Sequence, residues 1–357
     1  MAFTLLHTAD LHLGKSFSEL PPERAGQRRA DLLATLARVC RKARELRVDL
    51  LCIAGDLFDH PTPPTPLLAS VRRTLAEASV PVALIPGNHD PLDAGSPYLD
   101  TRWPTNVLVA STPGWQRLQV ANAEVWAFGY TRGEAHCSPW TAFPGCSDDA
   151  LLLLHAACLG PGLAEDAGYY PFTPAAIPTC GYLALGHHHR AVQVSRSPVG
   201  WYAGAPEPLE AEITAPAVLR VALDGATTVE PLQLATRRHR LVTLEVNGLT
   251  AAEIWDRTLA AAAVDDLLTL KLSGVLPATE SLDLPALQAE LSAHCFGIEL
   301  VTRELHLAAD LPLSGGILGT LHEIARRRAD KLPAGDPGRA RLDTALRYAA
   351  LALEGKL

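Results

Sequence analysis

Five short polar words, each closing an apolar run, constrain this chain more than any other feature. They read Asp10-Leu11-His12, Gly55-Asp56, Gly87-Asn88-His89-Asp90, His155 and Gly186-His187-His188-His189. The runs before them are short and almost wholly apolar, which is the mark of strands buried on both faces of a sheet. Helical periods separate the first three. Over residues 23–46 the apolar positions are Leu32, Leu33, Leu36, Val39, Cys40, Ala43 and Leu46, and a second helix is predicted over Thr65–Ala78 with Pro66 near its start. Strand, helix, strand, helix, strand with buried strands predicts an α/β sheet covered on both sides. Sites in such sheets form outside the carboxyl ends of the strands. The five words should therefore meet at one edge, although the first and last lie about 180 residues apart in the chain.

After residue 100 the texture changes to shorter strands: Val107–Ala110, Trp115–Val120, Val125–Tyr130, Leu151–His155, Tyr182–Gly186, Val192–Arg196 and Leu219–Leu223. The predicted product is two facing mixed sheets flanked by helices, a four-layer α/β sandwich. Past Arg237-Arg238-His239-Arg240 a new pattern begins: strand Leu241–Val246, helix Ala251–Ala263, strand Leu267–Leu272, helix Pro285–Cys295 and strand Glu299–Glu304. The expected organisation is a large domain over 1–238, a small α/β domain over 239–310 and a helical tail over 311–357. That tail should hold a basic helix around Arg326-Arg327-Arg328 and an apolar helix from Arg341 to Leu353.

Composition narrows the function classes. Apolar residues make up 48% and charged residues 20%, ordinary for a soluble globular protein. Seven cysteines, an odd number with no Cys-x-x-Cys, argue against a disulfide framework and for a reducing compartment, with Cys40, Cys52 and Cys158 as buried free thiols in apolar runs. No leader-like segment and no uncharged apolar stretch of membrane-spanning length is present, so the expectation is a cytoplasmic protein with no membrane partner. A net charge of -8 argues against a broad nucleic-acid surface, yet Lys15 to Arg47 holds nine basic and four acidic residues.

Taken singly, each polar word reads as a turn or a buried core histidine. Together and in order at strand ends, they read as a metal site. Asp, Asn and His supply oxygen and nitrogen donors, a mix that suits Mn, Fe, Zn or Ni better than Mg. Two ions about 3.5–4 Å apart need a shared anionic bridge, and Asp56 is the natural one; such pairs hydrolyse phosphate esters. If residues 187–189 were extended, His187 and His189 would point the same way and His188 away from them.

The ordered set Asp-x-His, Gly-Asp-x-x-Asp, Gly-Asn-His-Asp, His and Gly-His-x-His resembles the signature of the calcineurin-like metallophosphoesterases. His-Thr-Ala-Asp-Leu-His-Leu-Gly, Ala-Gly-Asp-Leu-Phe-Asp and Ile-Pro-Gly-Asn-His-Asp resemble one branch of that superfamily, the DNA-repair exonucleases that include the nuclease subunit of the bacterial SbcCD complex. Trp201-Tyr202-Ala203-Gly204-Ala205-Pro206-Glu207-Pro208 is similar to that branch's Tyr-Pro-Gly-Ser segment, with Ala203 and Ala205 departing from it. The resemblance covers residues 4–205. It implies two divalent ions, with Mn2+ expected: one on Asp10, His12, Asp56 and His189, the other on Asp56, Asn88, His155 and His187. It further implies that His89 is a catalytic non-ligand that Asp90 orients, and that Asp59 supports the ligands from behind. The small domain would cap the nuclease core. The implied activity is hydrolysis of DNA, as a 3'-5' exonuclease with endonuclease action besides, in DNA repair. Arg24, Arg28 and Arg29 are candidate contacts to backbone phosphates.

An SbcC-type ATPase partner follows from the same resemblance, and a homodimer is open. The short tail and acidic balance leave room for a stand-alone phosphodiesterase of small diesters or cyclic nucleotides. A catalytically degenerate interaction scaffold is the non-enzyme alternative, and the intact ligand set speaks against it.

Overall fold

The strands that carry the site follow directly from their apolar runs. The computed structural model describes residues 3–161, 163, 168–210, 215–276, 280–307, 316–333, 336–339, 341, 342, 345, 346 and 349. It divides into two compact units, Met1–Arg238 and His239–Leu357. The first begins with β1 (Phe3–Thr8), α1 (Pro22–Leu46), β2 (Leu50–Ala54), α2 (Thr65–Ala76), β3 (Val82–Ile85) and β4 (Val107–Val109). It continues with β5 (Gly114–Val120), β6 (Ala123–Gly129), β7 (Leu151–His155), β8 (Tyr182–Gly186), β9 (Val192–Arg196), β10 (Val199–Tyr202), β11 (Val218–Asp224) and β12 (Ala226–Leu232). Every residue of β2, β3, β7 and β8 is buried.

These strands form two six-stranded sheets, ordered β12-β11-β1-β2-β3-β4 and β5-β6-β7-β8-β10-β9. In the first, β1 to β4 are parallel, and β11 joins β1 antiparallel. In the second, β6, β7, β8 and β10 are parallel, with β5 and β9 antiparallel at the edges. Both sheets are thus mixed, as expected.

Alternation along each strand sorts its side chains into layers. Leu5, Leu50, Cys52, Ala54, Ala83 and Ile85 of the first sheet pack against Val125, Ala127, Leu151, Leu153 and Ala184 of the second. Leu6, Leu51, Ile53 and Leu84 face the other way and pack under Leu32, Leu36, Val39 and Cys40 of α1 and Val71 and Leu75 of α2. Leu152, Leu154, Leu183 and Leu185 form the outer side of the second sheet. An aromatic group that includes Tyr130, Trp140, Phe143, Tyr170 and Phe172 covers them. A buried polar pair also links the sheets: His7 Nδ1 lies 3.0 Å from the Tyr182 hydroxyl and Nε2 lies 3.1 Å from the Leu185 carbonyl.

Two strands escape the sequence pattern. β12 is half exposed, carries Pro231 and forms the sheet's edge, where no apolar run is needed. β10 has only four residues, one of them Gly200.

The second unit holds β13 (His239–Glu245), α3 (Ala251–Ala261), β14 (Leu267–Leu276), α4 (Leu284–His294), β15 (Gly297–Leu307) and α5 (Gly316–Ala329). Its three strands are parallel in the order β13-β14-β15. Ile254 of α3 and Leu287 and Leu291 of α4 cover Leu268, Leu270 and Leu272. Thr250 and Glu253 form a reciprocal capping box at the start of α3. The apolar helix expected over Arg341 to Leu353 falls largely outside the described residues. All seven cysteines are free thiols, and no described helix is long and apolar enough to cross a membrane.

Candidate metal centre

Parallel pairing continues past the ends of β1 and β2. Asp10 N–H donates to the Gly55 carbonyl (3.1 Å), His12 N–H to the Asp56 carbonyl (3.0 Å) and Leu13 N–H to the Leu57 carbonyl (3.0 Å). This ladder sets Asp10 and His12 beside Asp56. Three of these residues take the left-handed backbone region, Asp10 at φ 53°, His12 at φ 46° and Asp56 at φ 48°. Such conformations cost free energy and cluster at functional sites. Gly55 (φ 92°) is needed for space as well: a Cβ there would lie 2.2 Å from His155 Nδ1.

The five words meet. Ligand atoms of Asp10, His12 and His189 lie within 4.8 Å of one another, as do those of Asp10, Asp56 and His155. His12 Nε2 is 3.1 Å from His189 Nε2. His155 Nε2 is 2.8 Å from Asn88 Oδ1, and His187 Nδ1 is 3.0 Å from that same oxygen. Asp56 Oδ2 stands between the two halves, 3.6 Å from His12 Nε2 and 3.5 Å from His155 Nε2. The geometry is that of two overlapping sites sharing one carboxylate.

The ring nitrogens show that cations fit here. His155 Nδ1 faces the Ala54 carbonyl at 3.0 Å, an acceptor only, so its proton sits on Nδ1. His12 Nδ1 faces Asp59 Oδ1 at 2.8 Å, and His189 Nδ1 faces Glu210 Oε1 at 3.0 Å. With the protons drawn outward, the Nε2 lone pairs of His12, His155 and His189 converge on Asp10, Asp56 and the Asn88 oxygen. Ring lone pairs turned toward carboxylate oxygens repel one another, a cost that divalent cations between them would remove, and outward carboxylate or carbonyl partners are usual for metal-binding histidines. Burial, with help from His155, pushes the pKa of His187 down to about 3, which keeps its ring neutral. Burial alone would raise the pKa of Asp56, but His155, His12 and His89 outweigh it and hold the carboxylate ionised.

His89 stands at the rim. Its side chain is 42% exposed, and its ring lies edge-on to His12 with centroids 4.5 Å apart. Its Nδ1 is 3.3 Å from the Asp59 carbonyl and 3.7 Å from Asp59 Oδ1, while its backbone N–H donates to Asp56 Oδ1 at 2.9 Å. His89 also has a ring nitrogen within 4.8 Å of ligand atoms of His12 and Asp56. The neighbour that orients its ring is thus Asp59, which serves His12 as well. Asp90 is fully buried and acts on the backbone instead. It accepts from Gly87 N–H (2.8 Å), Phe58 N–H (2.8 Å) and the Tyr98 hydroxyl, tying the loop after β2 to the loop after β3. β8 ends at Gly186, so residues 187–189 form a turn rather than a strand; His188 nonetheless turns away and rests on Tyr202, with ring centroids 5.4 Å apart.

One expected contact is overturned. Arg28 cannot meet a phosphate, because it is 1% exposed and spends its guanidinium on Glu207 (3.0 Å) and the Pro208 carbonyl (2.8 Å). Arg29 is exposed and donates to the Ser16 carbonyl at 3.0 Å, and Arg24 is partly buried. Sequence reasoning missed Glu210 and Tyr98, and it gave no role to Glu207, which lies in the 201–208 segment. No short motif marks Glu210 or Tyr98, since each meets its partner through the fold.

Comparison with known proteins agrees with this geometry. Residues 3–134 match the calcineurin-like phosphoesterase family. That stretch carries Asp10, His12, Asp56, Asn88 and His89, and the fold brings His155, His187 and His189 to them from outside it. An uncharacterized metallophosphoesterase of Bacillus subtilis, YhaO, is 29% identical over 56% of this chain and 52% of its own. The DNA double-strand break repair protein Mre11 of Methanopyrus kandleri is 35% identical over 24% of this chain and 19% of its own, and that of Aeropyrum pernix is 36% identical over 24% and 20%. The chain thus spans about half the length of the first of these relatives and about a fifth of the others. Residues 3–134 thus carry the calcineurin-like phosphoesterase family's match and motifs, and the ligand atoms converge as a pair of overlapping cation sites, the arrangement of a metal-dependent hydrolase.

Proposed function

We propose that this hydrolase cleaves phosphodiester bonds in DNA with two Mn2+ ions, as a 3'-5' exonuclease that also has endonuclease action, in DNA repair. The observation that carries the two-metal chemistry is the convergence of histidine nitrogens and of carboxylate and amide oxygens around Asp56. Support for DNA comes from the Mre11 proteins, whose likeness spans 89 residues of this chain.

In this reading Asp10, His12 and His189 hold one ion, Asn88, His155 and His187 the other, and Asp56 both. Such ions supply Lewis acidity toward the phosphate and lower the pKa of water. The residues do the rest. Asp59 and Glu210 keep His12 and His189 in the tautomer that turns Nε2 inward, and the Ala54 carbonyl does so for His155. His89, held through Nδ1 by Asp59, keeps Nε2 for the substrate. It would hydrogen-bond a phosphate oxygen or deliver a proton to the leaving oxygen. Asp90 and Tyr98 hold the backbone of the two loops that carry Asp56 and His89. The same reading makes residues 239–310 a cap over the nuclease core and residues 311–357 a helical tail. It also carries a cytoplasmic location and an SbcC-type ATPase partner.

The rival is a phosphodiesterase of small diesters, which the net charge of -8 favours. The two part on one experiment: Mn2+-dependent hydrolysis of end-labelled single- and double-stranded DNA, cyclic nucleotides and an aryl phosphodiester across a salt series. DNA cleavage that falls steeply with salt supports the nuclease. Turnover of the small diesters alone, indifferent to salt, refutes it.

A further inference from the structure

A buried ionic network stands behind His189. Glu207 is 1% exposed and accepts from Arg28 (3.0 Å), Thr35 Oγ1 (2.6 Å), Arg38 (3.4 Å) and the Thr236 N–H. Arg28 also donates to the Pro208 carbonyl at 2.8 Å, and Asp31, 3% exposed, accepts from Arg237 at 2.6 Å. Three guanidinium groups and two carboxylates thus fasten residues 207–208 and 236–237 to α1. Burying such charges is expensive, and an apolar replacement often stabilises as well. What the network supplies beyond stability is a fixed place for the loop that follows β10.

That loop grips His189 from two sides. Ala205 N–H donates to the His189 carbonyl at 2.9 Å, and a Cβ on Gly204 (φ 73°) would lie 2.6 to 2.9 Å from the backbone of residues 189–191. Beyond the anchor, Glu210 is 57% exposed, yet its Oε1 meets His189 Nδ1 at 3.0 Å. An exposed glutamate on a loop would sample many positions. Here the chain enters pressed against His189 and is clamped through Glu207 and Pro208 just before Glu210.

We propose that Glu207 and Arg28 are positioning residues for the metal centre: they set the loop 204–210 so that Glu210 holds His189 with Nε2 turned toward the ion shared with Asp10 and His12. The proposal rests on the two-metal reading of the site. It predicts that one of two ions weakens when the clamp is cut and that Glu207 acts through Glu210.

The test is calorimetric titration of the full chain with Mn2+ alone, without substrate, on Glu210→Ala, Glu207→Gln and the double variant, each with its thermal midpoint. Glu210→Ala should weaken one ion about 10- to 100-fold, as loss of an outer partner of a histidine ligand usually does, and leave the other unchanged. Glu207→Gln should weaken the same ion, and should add nothing in the Glu210→Ala background. A Glu207→Gln protein with a lower midpoint but native affinity for both ions would reduce the network to plain stability and overturn the proposal. Additive losses in the double variant would overturn the route through Glu210. Native protein that binds no Mn2+ would overturn the two-metal reading along with it. If Glu207→Gln does not fold, Thr35→Val removes a single bond to the same carboxylate and is read in the same way.

Discussion

His7 makes the pH dependence of folding a test of the inter-sheet core. The ring is fully buried between the sheets, and burial pushes its pKa from 6.5 down to about 3, against a small opposing pull from the Leu185 carbonyl. The unfolded chain therefore takes a proton on this residue as pH falls through about 6.5, while the folded chain refuses it until about 3. More protons on the unfolded state means stability that rises with pH. His7 thus leaves stability intact above pH 6.5 and erodes it by about 1.4 kcal/mol per unit through the window between 6.5 and 3. At pH 5.0 the erosion amounts to about 2 kcal/mol, a large share of the roughly 5–15 kcal/mol that holds a domain together. His7→Gln keeps a donor for the Leu185 carbonyl and an acceptor for the Tyr182 hydroxyl but cannot titrate. Urea unfolding at pH 7.5 and 5.0, on metal-stripped samples so that the ligand histidines contribute equally, should show the native protein losing about 2 kcal/mol more than the variant. Equal losses in two folded proteins would refute the reasoning, because His7 would then titrate alike in both states.

Three further outcomes are expected. Asp56→Ala should lose both ions by elemental analysis, since its Oδ2 lies 3.6 Å from His12 and 3.5 Å from His155; an unchanged pair would remove the bridging role. His89→Ala should keep both ions yet lower kcat about 10²- to 10⁴-fold, as removal of a general acid does, and wild-type turnover would strike the residue from the chemistry. Leu153→Ala should cost about 2–5 kcal/mol in urea unfolding, because Leu153 is fully buried between the sheets, while its metal content stays unchanged.

Legibility divides along one physical line, between signals carried by neighbours in the chain and signals carried by contact across the fold. β2, β3, β7 and β8 are buried on every residue, so their apolar runs are local and readable, and the residues that end them converge once the strands lie parallel. The exposed edge strand β12, which carries Pro231, leaves no such trace. Outer partners leave none either: Glu210 reaches His189 and Tyr98 reaches Asp90 through loops whose course no motif sets.

Arg28 lies between these cases, and it bears on the DNA reading. It falls four residues before Leu32 and eight before Leu36, on the buried stripe of α1 with Ala25, Thr35 and Val39. An arginine on a buried stripe demands a buried anion, and Glu207 supplies it. Helical phase therefore separated Arg28 from Arg29, which is exposed, although both count equally in a tally of basic residues. Arg38 is drawn to the same carboxylate, so two of the nine basic residues between Lys15 and Arg47 are committed inside the protein. The charge left for phosphates is correspondingly smaller. If DNA is the substrate, its cleavage should show a salt slope set by a few exposed cations, with Arg29 among them: Arg29→Ala should flatten that slope by about one counterion, and an unchanged slope would remove Arg29 from the phosphate contacts.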